Sequence, residues 1–210
     1  MTPKALDLAS FNLFYKKDNV LIVDTRHQTQ FVSGHIPNAL FLGIDGPFEI
    51  WSKILLLNTQ NQIILVCEVD REKDIINKLE SFGITTVLGF LKGGIETYAK
   101  SNKELATIKS ITPIVFKKEL KSIPIVFDVR KKNEYENSHL KSAKHTPLNN
   151  LKDYIEHFPK NKPFYVFCGG GYRSVITASI LKSIGCNNPI DVKGGFKSFK
   201  EAGIKIIANK

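Results

Sequence analysis

The stretch IVFDVRKKNEYENSHLKSA, residues 125–143, repeats the pattern of LIVDTRHQTQFVSGHIPNA, residues 21–39. Each stretch runs from an apolar segment through Asp-x-Arg and an aromatic residue to His, an apolar residue and Ala. The matching residues lie 104 positions apart: Asp24 and Asp128, Arg26 and Arg130, His35 and His139, and Ala39 and Ala143. A repeat of this length indicates two copies of one structural unit, each of about a hundred residues, which is an ordinary domain size.

The repeat continues downstream and sets the domain limits. Cys67 matches Cys168, and the Gly-Gly pair at 93–94 matches the pair at 194–195, now at an offset of 101 residues. A polar, lysine-rich segment, KSNKELATIKSITP at residues 100–113, lies between the copies. We therefore predict two domains, residues 1–104 and residues 110–210.

Each copy alternates short apolar runs with amphipathic stretches. In the second copy, IPIVFDV and PFYVF have the composition of buried strands, and the apolar residues after residue 174 follow a helical spacing that stops at Gly185. Strands that alternate with helices predict an α/β fold in which each domain has a largely parallel sheet flanked by helices. Ligand sites in such sheets lie at the carboxyl ends of the strands.

Composition narrows the classes of protein. With 42% hydrophobic and 24% charged residues the chain is typical of a globular protein, and its apolar runs are too short to span a bilayer. The start MTPKALDLASF lacks the pattern of an export signal, and three cysteines are too few for a disulfide framework. We expect a cytoplasmic protein with no membrane partner. Although the net charge is +10, the lysines are dispersed and no nucleic-acid-binding motif accompanies them, so we expect no nucleic-acid partner.

Cys168 is the candidate nucleophile. It follows the strand FYVF, where a site is expected, and Gly169, Gly170 and Gly171 permit a loop whose N–H groups turn inward as an anion-binding nest. The start of the next helix, near Ser174, and Arg173 add positive charge, and all three features favour thiolate over thiol. The plain alternative is a glycine-rich turn with an inert buried cysteine. No metal or organic cofactor is predicted.

With these motifs, the sequence resembles tandem rhodanese domains over nearly its whole length. CGGGYRS resembles the family signature of Cys, two variable residues, Gly, one variable residue and Arg; DVRKKNEYENSHLKSAKHTPL resembles the family's Asp-Val-Arg segment, with Ser138 and Leu140 in place of the usual Gly and Ile. The resemblance implies a sulfurtransferase that carries sulfur as a Cys168 persulfide between an anionic donor, thiosulfate or glutathione persulfide, and a thiol or cyanide acceptor. The residues predicted to bind the substrate are Gly169, Gly170, Gly171, Tyr172, Arg173 and Ser174. Asp128 and Arg130 are predicted either to pair with each other or to support the cysteine loop without contacting the substrate.

A finer resemblance concerns possible partners. FLGIDGPFEIWSK and ILVCEVDREKDIINKLESFGITTVLGFLKGG are similar to the first rhodanese-like domain of proteins that fuse a persulfide dioxygenase of the metallo-β-lactamase type to two such domains. The resemblance implies a persulfide dioxygenase as a possible partner. The chain itself has no His-x-His-x-Asp-His cluster, so no iron site is predicted.

The two copies differ in chemistry. The first reads CEVDREK, in which Glu68, Asp70 and Glu72 oppose a thiolate at Cys67. Residues 1–104 carry 11 Lys and Arg against 12 Asp and Glu, whereas the rest of the chain carries 19 against 8. We therefore predict that the first copy is a degenerate, non-catalytic domain and that the second is catalytic.

Other readings of the same residues remain open. A rhodanese-type phosphatase also uses a loop cysteine and arginine, but with one more intervening residue than the four between Cys168 and Arg173. The chain could instead be a binding module, or it could act only as the partner of a separate dioxygenase. His35 and His139 occur in both copies, so we interpret them as fold elements whose rings bond the backbone. Cys186 is interpreted as a small apolar core residue.

Overall fold

The chain forms two compact units, residues 1–107 and residues 108–210, here called the first and the second unit. The structure is a computed structural model that describes residues 3–101, 103–122 and 124–208. None of the helices in these ranges has the length and apolar character that a membrane crossing requires.

The first unit alternates strands and helices throughout. In chain order its elements are β1 Lys4–Leu6, α1 Leu8–Tyr15, β2 Val20–Asp24, α2 Gln28–Ser33, β3 Leu40–Phe41, α3 Phe48–Leu56, β4 Gln62–Val66, α4 Glu72–Ser81, β5 Val87–Leu91 and α5 Gly94–Ala99. The five strands form one sheet in the order β1-β5-β4-β2-β3, and every pairing is parallel.

The second unit repeats this plan, with 3₁₀ segments in place of some of the helices. Its elements are β6 Lys109–Ile111, α6 Pro113–Glu119, a 3₁₀ turn Leu120–Ser122, β7 Val126–Asp128, α7 Lys132–Asn137, β8 Ser138–His139, β9 Ala143–His145, a 3₁₀ segment Leu148–His157, β10 Phe164–Phe167, α8 Tyr172–Ser183, β11 Pro189–Val192, a 3₁₀ turn Gly195–Ser198 and β12 Ile207–Ala208. The main sheet is parallel, in the order β6-β11-β10-β7-β9, while β8 and β12 form a small antiparallel pair. The predicted α/β class with two largely parallel sheets is confirmed.

The central strands are apolar because both faces of each sheet are covered. All four residues of β10 are buried, as are Ile63 to Val66 of β4. Such continuous apolar runs are typical of parallel strands with helices on both sides. In the second unit the core includes Phe116, Phe167 and Phe199, and the rings of Phe167 and Phe199 lie 4.9 Å apart. Phe167 is therefore held rigidly immediately before Cys168.

The two repeated histidines belong to the fold. His139 Nδ1 lies 3.1 Å from the carbonyl oxygen of Tyr135, and its ring stacks on the Tyr135 ring at 4.3 Å. His35 makes the same pair of contacts with Phe31, at 2.8 Å and 3.9 Å. Both imidazoles thus bond the backbone one helical turn earlier, as predicted for fold elements.

The Gly-Gly turn supports the cysteine loop of each unit. Gly195 has φ +56°, and a Cβ atom there would lie 2.3 Å from the carbonyl oxygen of Cys168. The same oxygen accepts the N–H of Phe196 at 2.7 Å. In the first unit, a Cβ atom at Gly94 would lie 2.6 Å from the carbonyl oxygen of Cys67. This close approach explains why both copies carry glycine at this position.

Replacing Gly195 with Ala tests this support. Gly185→Ala is the matched control, because Gly185 also has a positive φ, +89°, but a Cβ atom there meets nothing within 4 Å. We expect Gly195→Ala to lower the free energy of unfolding by about 1–3 kcal/mol more than Gly185→Ala, since only the former forces a side chain into a backbone oxygen. Denaturant unfolding measures both values. Equal losses for the two variants would contradict a packing role for Gly195.

Candidate active site

Cys168 lies at the carboxyl edge of the second sheet. It directly follows β10, which is flanked by β11 and β7, and its side chain is 1% exposed. The loop then runs to Gly171, which precedes α8 and has φ +105°, a left-handed conformation that favours glycine. Helix α8 begins at Tyr172, two residues before the start predicted from the sequence.

The loop places donors on the Cys168 sulfur. The N–H of Gly171 lies 3.1 Å from Sγ. Arg173 lies in the first turn of α8, and its charge acts on the sulfur. The hydroxyl oxygen of Ser174 lies 3.8 Å from Sγ. A thiolate or a persulfide is stabilised by such donors at a helix N-terminus. Three of the residues predicted from the sequence are thus brought to the sulfur.

The other predicted loop residues occupy different positions. Gly169 is buried, and its carbonyl oxygen accepts the N–H of Lys197 at 3.1 Å. Gly170 is exposed, and a Cβ atom there would meet nothing within 4 Å. The loop is therefore open to solvent over Gly170. Contacts of Gly169, Gly170 and Tyr172 with substrate stay predictions.

Arg173 is held by the carboxylate of Glu134, a residue that the sequence analysis did not assign to the site. Its Nη1 and Nη2 donate to the two carboxylate oxygens of Glu134 at 2.5 Å and 2.8 Å. Glu134 also accepts the N–H of Lys131, at 3.1 Å, at the start of α7. The hydrogen bond from Arg173 lowers the pKa of Glu134. Glu134 thus orients Arg173 and partly neutralises the positive charge of the loop. This function cannot be recognised from the sequence, in which Glu134 has the position of a residue at the start of a helix.

Ser174 connects the sulfur to a buried carboxylate that the sequence analysis missed. Its hydroxyl donates to Asp191 Oδ1 at 2.6 Å, and the hydroxyl of Ser110 donates to Oδ2 at 2.7 Å. Asp191 is 4% exposed, and burial raises the pKa of its carboxyl group. In the sequence, the signal for this contact is a single acidic residue within the otherwise apolar strand β11.

Asp128 and Arg130 form a buried bidentate ion pair with N–O distances of 2.6–2.9 Å. Arg130 also donates to the carbonyl oxygen of Ser138 at 2.8 Å, and its guanidinium lies 3.7 Å from the ring centroid of Phe196. In the first unit Arg26 pairs with Asp24 and donates to the carbonyl oxygen of Gly34 at 2.8 Å. The pair therefore braces a turn in both units, and in the second unit Arg130 also contacts Phe196, whose N–H donates to the carbonyl oxygen of Cys168.

The loop of the first unit has a different electrostatic environment. Cys67 is 2% exposed, and burial, with smaller contributions from Glu72 and Asp24, raises the pKa of its thiol to about 12. Asp70 takes a left-handed φ of +68° where glycine would be unstrained. Arg71 donates to Asp45 at 3.1 Å. Of the three acidic residues predicted to oppose a thiolate, Glu72 and Glu68 contribute to the raised pKa of Cys67, whereas Asp70 does not, and burial is the largest cause.

The remaining candidate groups are few. Cys186 is buried, and its Sγ lies 3.9 Å from the carbonyl oxygen of Phe158. All three cysteines are free thiols. Among residues 3–101, 103–122 and 124–208, no three His, Cys, Asp or Glu side chains are grouped so that they could hold a metal ion.

An open pocket of about 560 Å³ lies on the loops that follow β7 and β9. Strand β7 lies next to β10 in this parallel sheet and β9 lies beyond β7, so the pocket is at the same carboxyl edge as Cys168. Its lining includes Lys131, Tyr135, His145, Asn149 and Tyr154. Polar and aromatic groups therefore line an opening at the same edge of the sheet as the sulfur.

Comparison with known proteins places this geometry in a family. The uncharacterized protein YqhL of Bacillus subtilis is 34% identical over 103 residues, which cover 49% of this chain and 79% of that protein. The thiosulfate sulfurtransferase GlpE of Coxiella burnetii is 33% identical over 86 residues, covering 41% and 80%. A solved rhodanese-like domain protein from Staphylococcus aureus is 32% identical with a TM-score of 0.42, covering 44% of this chain and 91% of that one. The family model for the rhodanese-like domain matches residues 9–101 and 112–202, one match within each unit, and the chain therefore belongs to the rhodanese-like family as a tandem of two such domains.

Proposed function

We propose that the second unit is a sulfurtransferase in which Cys168 carries the sulfur as a persulfide. The observation that supports this most directly is the Gly171 N–H, which donates to Sγ at the start of α8, where the charge of Arg173 also acts on the sulfur. The relatives named thiosulfate sulfurtransferase match single domains of this size. A sulfur relay needs no metal or organic cofactor, because the sulfur is itself the transferred group.

The relay has two steps. The Cys168 thiolate attacks the outer sulfur of the donor; a new S–S bond forms, the S–S bond of the donor breaks, and its electron pair leaves with a thiolate or with sulfite. Gly171 N–H and Arg173 stabilise the charge on the persulfide, as donors in an oxyanion hole would. An acceptor thiolate or cyanide then attacks the outer sulfur and restores the Cys168 thiolate.

The charges at the loop favour a persulfide donor over thiosulfate. Arg173 is the one cation of the sequence CGGGYRS, and Glu134 holds it through both carboxylate oxygens. A loop cation that is already paired attracts the compact double charge of thiosulfate less strongly than an unpaired cation would, whereas a persulfide group carries at most one negative charge. The pocket that includes Lys131 and Asn149 offers room for the body of a peptide thiol such as glutathione. We therefore propose glutathione persulfide as the preferred donor.

The first unit has a structural or docking role in this proposal. Its loop lacks the glycines, its arginine is turned to Asp45, and its thiol is protonated at neutral pH because its pKa is raised to about 12. A persulfide dioxygenase, which the sequence resemblance implies as a partner, is a candidate for docking there, and a pull-down with such an enzyme would test it.

Sulfur loading at Cys168 is the central prediction. After incubation with glutathione persulfide, we expect the intact mass of the protein to increase by one reducible sulfur atom, since only Cys168 has donors on its sulfur. Cys67→Ala and Cys186→Ala, the matched controls, should load as the unsubstituted protein does. Equal loading of Cys168→Ser would contradict the assignment.

The same preparation distinguishes the alternatives. No loading of the unsubstituted protein by persulfide or thiosulfate, together with Cys168-dependent hydrolysis of p-nitrophenyl phosphate, would favour a rhodanese-type phosphatase. Absence of both activities would favour a binding module.

Arg173→Ala should slow sulfur loading by roughly tenfold to a hundredfold, because the persulfide loses a charge-assisted donor and the loop loses its tie to Glu134. Arg71→Ala is the control, since Arg71 occupies the degenerate loop of the first unit. Stopped-flow or quenched measurement of persulfide formation gives both rates. If Arg173→Ala loads at the rate of Arg71→Ala, Arg173 has no part in the reaction.

The two loop cysteines should differ in alkylation by iodoacetamide. A thiol with a pKa of about 12 is almost entirely protonated at neutral pH and reacts faster as the pH rises toward that value, so Cys67 should be alkylated only at high pH. Cys168 should react first near neutral pH, as peptide mapping after timed quenching would detect. Preferential alkylation of Cys67 at neutral pH would indicate that the first unit also carries a reactive thiol.

A further inference from the structure

Three stacked aromatic rings border the pocket on the loops that follow β7 and β9. They belong to His139, Tyr135 and His145, with Tyr135 in the middle, and are here called the ring stack. The Tyr135 ring lies 4.3 Å from that of His139 and 4.4 Å from that of His145, with both pairs nearly parallel. Tyr135 and His145 line the pocket, and both are only half-buried. The ring stack therefore gives the pocket a phenol and an imidazole.

The first unit has an equivalent stack in which two of the rings are apolar. At the offset of 104 residues Phe31 corresponds to Tyr135 and Phe41 to His145. The sheet registers agree, since Phe41 and His145 each pair with the last residue of the neighbouring strand, β2 or β7. The Phe31 ring lies 3.9 Å from that of His35 and 5.1 Å from that of Phe41, and both phenylalanines are fully buried. The fold therefore does not itself require polar rings at these two places.

Hydrogen bonding defines which nitrogen of His145 carries the proton. Nε2 lies 2.9 Å from the carbonyl oxygen of Arg130, and because a carbonyl oxygen can only accept, Nε2 is the donor. In the neutral ring the other nitrogen, Nδ1, then has a lone pair. In the part of the chain that the structure describes, Nδ1 has no hydrogen-bond partner. His145 thus brings an acceptor to the pocket that no described protein group uses.

The charged groups of the pocket complement this acceptor. Lys131 and Lys132 belong to the same lining, and Lys132 also pairs with Glu136 at 3.6 Å. Ammonium groups only donate, and they suit the carboxylates of a ligand. A ligand that satisfies both the lysines and Nδ1 must therefore have a carboxylate and an N–H group. A peptide persulfide has both, whereas thiosulfate and inorganic polysulfide have no N–H group. The pocket, at about 560 Å³, is within the usual range of about 300–1,000 Å³ for small-molecule sites.

We propose that His145 is a specificity-determining residue of the second unit, whose Nδ1 accepts an N–H group of a peptide persulfide while Lys131 binds a carboxylate of the same molecule. The inference rests on the proposed sulfur transfer, because the pocket holds the body of the donor while Cys168, at the same edge of the sheet, attacks the outer sulfur. No covalent bond changes at His145. A donor without an N–H group gains nothing from Nδ1, so His145 selects among donors.

Two substitutions of His145 separate this role from a structural one. In His145→Gln the longer amide reaches the place of Nε2 and keeps a donor for the Arg130 carbonyl group, but no acceptor remains at the place of Nδ1. In His145→Asn the shorter amide keeps an acceptor near Nδ1 and loses the bond to Arg130. We expect His145→Gln to raise the KM for glutathione persulfide by about fivefold to tenfold with kcat nearly constant, as the loss of one binding hydrogen bond predicts. His145→Asn should have the smaller effect.

The ratio of kcat/KM for glutathione persulfide to kcat/KM for thiosulfate is the measure of selectivity. It should decrease about fivefold to tenfold in His145→Gln, because thiosulfate has no N–H group to lose its acceptor. An unchanged ratio would overturn the proposal, and so would a larger decrease in His145→Asn than in His145→Gln, which would assign the effect to the bond with Arg130. If either amide variant does not fold, as judged by circular dichroism, His145→Phe decides by the same ratio, since Phe41 occupies the equivalent place in the first unit.

S-methylglutathione, which has no thiol group, tests the pocket without sulfur transfer. Its dissociation constant, measured by calorimetry or by NMR titration, should increase about fivefold to tenfold in His145→Gln and less in His145→Asn. This result in a protein that takes up no sulfur would sustain the role of His145 and reject the sulfurtransferase. Sulfur loading with equal dissociation constants in all variants would do the reverse. Absence of saturable binding to the unsubstituted protein would also overturn the role of His145.

Discussion

The close contact between the Gly-Gly turn and the carbonyl group of Cys168 is the constraint on which the site depends. No side chain fits between Gly195 and that oxygen, and the N–H of Phe196 bonds the same atom. The carbonyl group is therefore fixed while the chain turns from β10 into α8. Phe167, the residue before Cys168, is packed in the core, so the beginning of the loop is also fixed. Sγ then lies at the start of α8, where it accepts the N–H of Gly171.

The same anchor is present in the first unit, where Gly94 approaches the carbonyl group of Cys67, and yet the chemistry differs. A fold of this kind therefore holds a cysteine in place without activating it. Burial, with smaller contributions from Glu72 and Asp24, raises the pKa of Cys67, whereas the Gly171 N–H donates to the Cys168 sulfur. The internal repeat supplies a natural comparison in which the backbone plan is held constant and the electrostatics vary.

Two acidic side chains hydrogen-bond residues of the cysteine loop in the second unit. Glu134 holds Arg173 at the surface of the loop, and Asp191 holds Ser174 beneath it. Glu134 limits the positive charge that the loop offers to a sulfur donor. This is the physical reason for proposing a donor whose persulfide group carries at most one negative charge. Asp191 is shielded from solvent, at 4% exposure.

The sequence by itself determined the repeat, the α/β class and the placement of Cys168 after a strand, because hydrophobic periodicity and internal spacing are local properties of the chain. It also identified Gly171, Arg173 and Ser174, which lie within six residues of the cysteine. Only the tertiary structure decided the parts that depend on distant segments meeting: Glu134 is 39 residues from Arg173, and Asp191 is 17 residues from Ser174. Their roles are invisible in a linear pattern because each carboxylate acts through a partner that the order of the parallel strands, and not the order of the residues, brings within hydrogen-bonding distance.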